Sequence, residues 1–184
     1  MLTSARAREI LDTAELVCSA EAAAAAVERV AREVSDALGA RYPIILSVMG
    51  GGVVFTGQLL PLLGFPLDFD YVHATRYRGD TLGRSIDWKV RPQEDVRGRV
   101  VLVVDDILDE GWTLAAIRDY LLGAGAAEVR TAVFCEKLIG RDKPVRADYV
   151  GVTVPDRYVF GFGMDVYGAW RNLPAVYALK RDAA

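Results

Sequence analysis

Five predominantly apolar runs occur along the chain from residue 44 onward, and segments with helical spacing of apolar residues lie between several of them. Each run holds five or six residues, which is an ordinary length for a strand. Strands that alternate with helices favour an α/β fold with a largely parallel sheet. The run 100–104 is apolar throughout, as expected of a central parallel strand. The predicted strands are 44–48, 69–74, 100–104, 129–134 and 149–154, and the predicted helices between them are 53–63 and 113–122.

The N-terminal segment 4–38 has the spacing of two helices. One apolar face runs from Ile10 to Val17 and a second from Val27 to Leu38. Ser19 is a suitable N-cap for the second helix, and Gly39 is a suitable end.

The segment between Arg41 and Asp68 carries no charge and is long enough to span a bilayer. However, glycines and prolines interrupt it, among them the run 50–52. We interpret it as a buried strand, a glycine turn and a short helix rather than a membrane span.

Length and composition indicate a single globular domain that covers residues 1–184. The net charge of −3 gives no sign of a nucleic-acid-binding surface. The two cysteines, Cys18 and Cys135, lie far apart and in no metal-binding spacing, which suits a reducing compartment. The N-terminus lacks the apolar core of a signal peptide. We therefore predict a cytoplasmic protein with neither membrane nor nucleic-acid partners.

The most informative motif runs from residue 103 to residue 114. A hydrophobic strand ends in Asp105 and Asp106, and a short acidic turn containing Gly111 leads into a helix. Ligands of open α/β sheets bind at this end of the strands. The N–H groups at the start of the helix can cradle an anion, with Thr113 as a further donor, while the two carboxylates can accept sugar hydroxyls or hold hydrated magnesium. The motif predicts a site for a sugar phosphate.

A solvated acidic turn that merely caps a helix is the alternative. It does not explain why four acids lie within six residues, because neighbouring like charges repel by about 1 kcal/mol or more per pair. A bound cation or a hydroxyl-rich ligand relieves this repulsion. The other common phosphate motifs, GxxxxGK[ST] and GxGxxG, are absent from the sequence.

The run 103–113 resembles the motif with which type I phosphoribosyltransferases bind phosphoribosyl pyrophosphate (PRPP). Asp109 makes it similar to the hypoxanthine-guanine branch of that family, and the resemblance extends from residue 44 to residue 172. It implies a largely parallel sheet flanked by helices, with a small hood and a flexible loop at about 76–90. It also implies a homodimer or homotetramer.

For PRPP, the resemblance implies that Asp105 and Asp106 hold the ribose hydroxyls, partly through Mg²⁺, and that Asp109 is the general base on the purine nitrogen. Arg171 is implied to meet pyrophosphate. The other implied PRPP-binding residues are Glu110, Gly111, Trp112 and Thr113 around the 5′-phosphate, with Gly50, Gly51 and Tyr77.

For the purine, the resemblance implies that Lys137 recognises the 6-oxygen and that Tyr158 stacks on the base. The backbone of Val159 is implied to contact the base, and Asp165 to be a second magnesium-associated acid beside it. Taken alone, Lys137 and Arg171 could be solvated surface cations, and Tyr158 could simply pack against a strand. The PRPP motif elsewhere in the sequence favours the functional interpretation of all three. His73, the only histidine, lies on an apolar strand and is interpreted as structural.

The sequence departs from the family pattern at two positions. Gly50 stands where the family usually has a lysine, which puts the side-chain contribution to pyrophosphate binding in question while leaving backbone N–H groups to serve. Arg76 replaces the usual serine before Tyr77 and adds positive charge to the loop.

These features predict an enzyme of purine salvage that joins hypoxanthine or guanine to PRPP with magnesium and releases pyrophosphate. One alternative is an enzyme of the same fold for another base, such as xanthine, adenine or a pyrimidine. The other is a regulator that senses PRPP and binds RNA or a protein, for which the acidic net charge gives little support.

Overall fold

The computed structural model describes residues 2–76 and 86–180. The N-terminal segment forms helix α1 (Ser4–Thr13), strand β1 (Glu15–Cys18) and helix α2 (Ala20–Leu38). Ser19 caps α2 by accepting a hydrogen bond from the backbone N–H of Ala22, and Gly39 is its C-cap, as predicted. The prediction of helix through Leu16 and Val17 is wrong. Both lie in β1, whose partner strand is distant in sequence and is therefore invisible to local spacing.

A six-stranded sheet forms the centre of the molecule. Its strands are β2 (Ile44–Met49), β3 (Asp68–Arg76), β4 (Ile86–Val90), β5 (Val100–Leu108), β6 (Glu128–Leu138) and β7 (Tyr149–Pro155). They lie in the order β4-β3-β2-β5-β6-β7, and all neighbours are parallel except β3 and β4. The predicted α/β fold is confirmed, and each of the five predicted strands is present.

Helices cover both faces of this sheet. Alternate residues of β5 point to opposite faces, so that Leu102 packs with α2 and with α3 (Gly52–Leu59), while Val103 packs with α4 (Trp112–Gly123). A short 3₁₀ turn, Leu60–Leu62, follows α3. The two helices predicted at 53–63 and 113–122 correspond to α3 and α4, and each observed helix begins one residue before its predicted start.

A small antiparallel sheet forms the hood that the resemblance implied. It contains β1, β9 (Val176–Ala178) and β8 (Val159–Phe160), in that order. Ile10 of α1 packs with Phe160 and Val166, and the indole N–H of Trp170 donates to the carbonyl of Ala7 at 2.7 Å. Gly163, which follows β8, approaches Gly51 so closely that an added Cβ would overlap the Gly51 carbonyl. The hood therefore lies against the end of β2.

The expected flexible loop at 76–90 needs a correction at both ends. Arg76 is the last residue of β3, and 86–90 form β4, which pairs antiparallel with β3 as Ala74 opposite Trp88. Residues 77–85, including Tyr77, lie outside the described residues.

The charge-free stretch 42–67 divides into β2, a glycine turn and α3, as interpreted from the sequence. In the part of the chain that the structure describes, we find no helix with both the length and the apolar character needed to cross a bilayer. The single-domain organisation stays a prediction.

Candidate functional site

A cavity of about 480 Å³ opens at the carboxyl ends of β2, β3 and β5. Ten of the eleven predicted PRPP-binding residues line it, and the eleventh, Tyr77, lies outside the described residues. The parallel sheet explains this assembly, because the ends of neighbouring parallel strands lie at the same edge. The ten are Gly50, Gly51, Asp105, Asp106, Asp109, Glu110, Gly111, Trp112, Thr113 and Arg171.

A second cavity, of about 240 Å³, adjoins the first. Asp106, Asp109 and Asp165 line both. Its other lining residues include the remaining predicted purine-binding residues, which are Lys137, Tyr158 and Val159. The structure therefore places the predicted PRPP-binding and purine-binding residues in two adjoining cavities with three shared carboxylates.

The turn from β5 into α4 presents backbone N–H groups at the larger cavity. Gly111 is the N-cap of α4, and no side chain caps the helix. The first N–H groups of α4 therefore lack a capping side chain, which is the arrangement that binds anions. Gly111 has a φ of 86°, and an added Cβ would approach Leu108, Val145 and Pro144 to 3.2–3.4 Å. This turn requires glycine for its backbone conformation and for the space around it.

Asp105 and Asp106 are more buried than a solvated acidic turn allows. The side chain of Asp105 accepts a hydrogen bond from the backbone N–H of Asp106 at 2.9 Å, and Asp105 is only 8% exposed. Burial raises the pKa of Asp105 well above its ordinary value, and the charge of Asp106 raises it further. Burial also raises the pKa of Asp106, against the opposing effects of Asp105 and Arg171. A cation or a hydroxyl-rich ligand would favour the ionised carboxylates of this pair.

Gly51 allows Asp106 to take this position. A Cβ at residue 51 would overlap the Asp106 carboxylate, whereas a Cβ at Gly50 would meet no described atom within 4 Å. The departure from the family pattern at Gly50 therefore leaves open space at the edge of the cavity.

Lys137 and Asp109 form an ion pair across the smaller cavity. The Lys137 ammonium donates to Asp109 Oδ2 at 2.6 Å, and the Lys137 side chain is 12% exposed against 46% for that of Asp109. The sequence placed these residues in separate roles and did not predict their contact. Their pairing brings the proposed proton acceptor within reach of the proposed recognition group.

Arg171 and Asp165 form a second ion pair between the hood and the larger cavity. The guanidinium donates to Asp165 Oδ1 at 2.5 Å and to the carbonyl of Gly163 at 2.7 Å. Asp165 Oδ2 also accepts from the N–H of Gly168 at 2.7 Å. Lys137 and Arg171 thus each have a carboxylate partner.

The predicted metal set, Asp105, Asp106 and Asp165, does not form a ready cluster. Within residues 2–76 and 86–180, no group of three or more histidine, cysteine or acidic side chains is placed to hold a metal ion. Asp165 instead pairs with Arg171. The adjacent pair of Asp105, which is buried, and Asp106, which is half-buried, nevertheless fits magnesium. Magnesium commonly uses one or two carboxylates and takes its other ligands from substrate oxygens and water.

Sequence reasoning missed His73, which lines the larger cavity, and Tyr167, which contacts a residue of the smaller cavity. His73, interpreted as structural, lines the larger cavity at the end of β3. Its position at the carboxyl end of a predicted parallel strand was a signal that could have identified it. The ring of Tyr167 stacks with that of Tyr158, with centroids 6.2 Å apart. No pattern in the sequence pointed to Tyr167.

Comparisons with known proteins identify the family. The family model described as the phosphoribosyl transferase domain matches residues 17–167, and the chain belongs to this family. A hypoxanthine-guanine-xanthine phosphoribosyltransferase of Tritrichomonas foetus is 32% identical over 85% of this chain and 86% of that protein. A hypoxanthine-guanine phosphoribosyltransferase of Streptococcus pneumoniae is 29% identical over 93% of this chain and 96% of that protein.

A solved structure supports the fold. A hypoxanthine phosphoribosyltransferase of Staphylococcus aureus matches with a TM-score of 0.87 at 22% identity, covering 94% of this chain and 95% of that one. The predicted type I phosphoribosyltransferase fold is confirmed. The predicted enzyme class, a phosphoribosyltransferase of purine salvage, is confirmed by the relatives.

Proposed function

We propose that this chain transfers the phosphoribosyl group of PRPP to hypoxanthine or guanine, giving IMP or GMP and pyrophosphate in a magnesium-dependent reaction. One observation carries the proposal: Asp109 lines both cavities, between the anion cradle at the start of α4 and the ammonium of Lys137. A group in this position reaches the atoms that react when a base and a sugar phosphate occupy the two cavities together.

In the larger cavity, the N–H groups from Gly111 to Thr113 receive the 5′-phosphate, with Glu110 and Trp112 in the same turn. The carboxylates of Asp105 and Asp106 accept the ribose hydroxyls. Arg171 meets the pyrophosphate with its planar guanidinium, which suits bidentate binding of phosphate oxygens. Asp165 competes with pyrophosphate for the guanidinium of Arg171, because it already accepts a hydrogen bond from that group.

In the smaller cavity, the purine stacks on Tyr158 while Lys137 donates to its 6-oxygen and the Val159 backbone contacts it. Asp109 takes the proton from the ring nitrogen as that nitrogen bonds to the anomeric carbon and the bond to pyrophosphate breaks. The bound base therefore lies between Lys137 and Asp109. Its 6-oxygen accepts from Lys137 and its ring N–H donates to Asp109, so these two contacts replace the ion pair.

Magnesium would be held by Asp105 and Asp106, with Asp165 beside it once Arg171 has turned to the pyrophosphate. When bound, the ion supplies positive charge to the departing pyrophosphate. Calorimetry of PRPP binding with and without excess EDTA tests this role: we expect affinity to fall when the metal is removed, and equal affinity would contradict it.

The assembly and location of the chain stay predictions. We propose a homodimer or homotetramer in the cytoplasm. A similar solved structure, the hypoxanthine phosphoribosyl transferase of Trypanosoma cruzi, was studied for the role of its C-terminal region in its oligomeric state. Sedimentation at several protein concentrations gives the oligomeric state directly.

A PRPP-dependent assay against hypoxanthine, guanine, xanthine and adenine tests the central proposal. The donor-only ammonium of Lys137 suits a 6-oxygen and opposes the 6-amine of adenine. We expect adenine to be poorer by at least about 10²-fold in kcat/KM, because a site built to hydrogen-bond its substrate rejects a mismatched analogue. Adenine used as well as hypoxanthine would contradict the base assignment, and no turnover of any base would favour the PRPP-sensing alternative.

A further inference from the structure

Lys143 is a nearly buried cation beneath the site that the proposed mechanism does not use. It lies in the segment between β6 and β7, and its side chain is 9% exposed. Its ammonium donates to the carbonyl of Lys137 at 2.7 Å and to that of Leu108 at 3.0 Å, with Glu136 Oε1 at 3.4 Å. The ammonium therefore has three acceptors for its three donors.

The two carbonyl acceptors lie at the ends of neighbouring strands. The last backbone pair between β5 and β6 joins Leu108 with Glu136. Lys137 follows Glu136, and Asp109 follows Leu108. The Lys143 ammonium thus connects the two strands directly beside the residues that carry the ion pair of Asp109 and Lys137.

The segment around Lys143 also contacts the turn into α4. Pro144 and Val145 lie beside Gly111, close enough that an added Cβ at Gly111 would approach both within 3.4 Å. Arg141 forms an exposed ion pair with Glu110 at 2.6 Å. These contacts hold the turn from its outer side, whereas Lys143 holds the strand ends from which Asp109 and Lys137 project.

We propose that Lys143 is a positioning residue that sets the separation between the proton acceptor Asp109 and the base-recognition group Lys137. The inference deepens the proposed function and rests on it. Lys143 does not touch the base. It acts by joining the Leu108 and Lys137 carbonyls, which no neutral aliphatic side chain can do because it has no donor.

The test compares Lys143→Met with the unaltered protein in steady-state assays with PRPP and either hypoxanthine or adenine. Methionine keeps a long apolar stem but removes the ammonium. We expect kcat/KM for hypoxanthine to fall about 10- to 100-fold, since displacing catalytic groups by about 1 Å has effects of this size. Because the loss includes base recognition, KM for hypoxanthine rises, the preference over adenine narrows, and KM for PRPP stays within about threefold of the parent.

Chemical rescue separates positioning from general stability. Lys143→Ala assayed with added ethylammonium should regain about tenfold or more of the lost kcat/KM, because the free amine supplies the donors. Tetramethylammonium, which has the same charge and no N–H donor, should give no rescue. Val34→Ala is the matched control, because it removes fully buried volume on α2 and should lower the melting temperature without changing the preference between bases.

The outcomes are distinct. The positioning role is wrong if Lys143→Met keeps the KM values and the base preference of the unaltered protein. It is also wrong if both ammonium ions rescue Lys143→Ala equally. Either result leaves the proposed function standing. An unaltered protein that turns over no base would overturn the proposed function, and this role with it. Circular dichroism of each variant establishes that the altered kinetics belong to folded protein.

Discussion

The two walls of the site are built in different ways. One wall is a single continuous stretch, 105–113, in which the end of β5 and the start of α4 present backbone N–H groups, the buried carboxylate of Asp105 and the half-buried one of Asp106. The other wall combines side chains from β6, from the start of β8 and from the segment between β8 and β9. The Lys137–Asp109 and Arg171–Asp165 ion pairs connect its cations to carboxylates of the site.

The two walls therefore differ in whether their binding groups already have partners when the ligand arrives. The α4 turn needs no exchange of partners to accept a phosphate, because no side chain caps the helix. Lys137 and Arg171 each already hold a carboxylate, which competes with a ligand oxygen for their donors. We infer that the continuous wall determines whether a phosphate binds, whereas the assembled wall determines which base and which leaving group are accepted.

The largest expected effect comes from Asp109, where the two walls meet. Asp109→Asn keeps an oxygen near Lys137 but removes the proton acceptor. We expect turnover to fall about 10²- to 10⁴-fold while PRPP affinity changes little. Single-turnover kinetics together with calorimetry measure the two quantities. Turnover close to that of the unaltered protein would mean that Asp109 is only a loop residue. Asp119→Asn, on the exposed side of α4, is the control for loss of an acidic charge.

The assembled wall can be altered alone at Lys137. Lys137→Ala should lower kcat/KM for hypoxanthine and guanine more than for adenine, so that the preference of at least about 10² narrows by about tenfold or more. Competition assays with mixed bases give this ratio directly. If the variant loses PRPP affinity but keeps its preference for 6-oxopurines over adenine, the proposed division of roles between the two walls is wrong. Lys180→Ala, an exposed lysine, is the control.

The continuous wall can be altered at Gly111. Gly111→Ala forces a residue with Cβ into the left-handed conformation, which costs about 1–2 kcal/mol, and it crowds Leu108 and Val145. We expect KM for PRPP to rise about tenfold, which corresponds to about 1.4 kcal/mol, with the base preference retained. A change of preference without a change in PRPP binding would contradict the assignment. Gly123→Ala, at an open position where the glycine φ is not positive, is the matched control.

The smallest expected effect is on stability, at Asp105. Burial raises the pKa of this carboxyl in the folded protein, so above about pH 4 the folded state binds more protons than the unfolded state and stability falls as pH rises. Asp105→Asn removes this cost and keeps an oxygen for the N–H of Asp106. We expect a gain of about 1 kcal/mol, or about 2–4 °C in Tm, that is larger at pH 8 than at pH 5.

Melting curves across this pH range test the stability effect, and calorimetry of the same variant should show weakened PRPP binding. A variant that melts below the parent at every pH would show that the buried carboxylate stabilises the fold. Asp142→Asn, an exposed acid close to Lys143 in sequence, controls for the change in net charge.

The sequence by itself determined the sheet-and-helix order and the continuous wall. Both depend on neighbouring residues: apolar runs of strand length, and a turn whose carboxylates, glycine and helix start are adjacent in the chain. The individual roles of Lys137, Tyr158 and Arg171 came from resemblance, because isolated residues of these types are common on protein surfaces.

Only the tertiary structure decided which partners these residues have. Lys137 meets Asp109 across 28 positions of sequence because β6 lies beside β5. Arg171 meets Asp165 because the segment between β8 and β9 folds back on itself. The same packing buries Asp105, places His73 at the cavity wall and pairs β1 with β9. Contacts between segments depend on the order of strands and on the desolvation that packing imposes, and the local pattern of residues specifies neither.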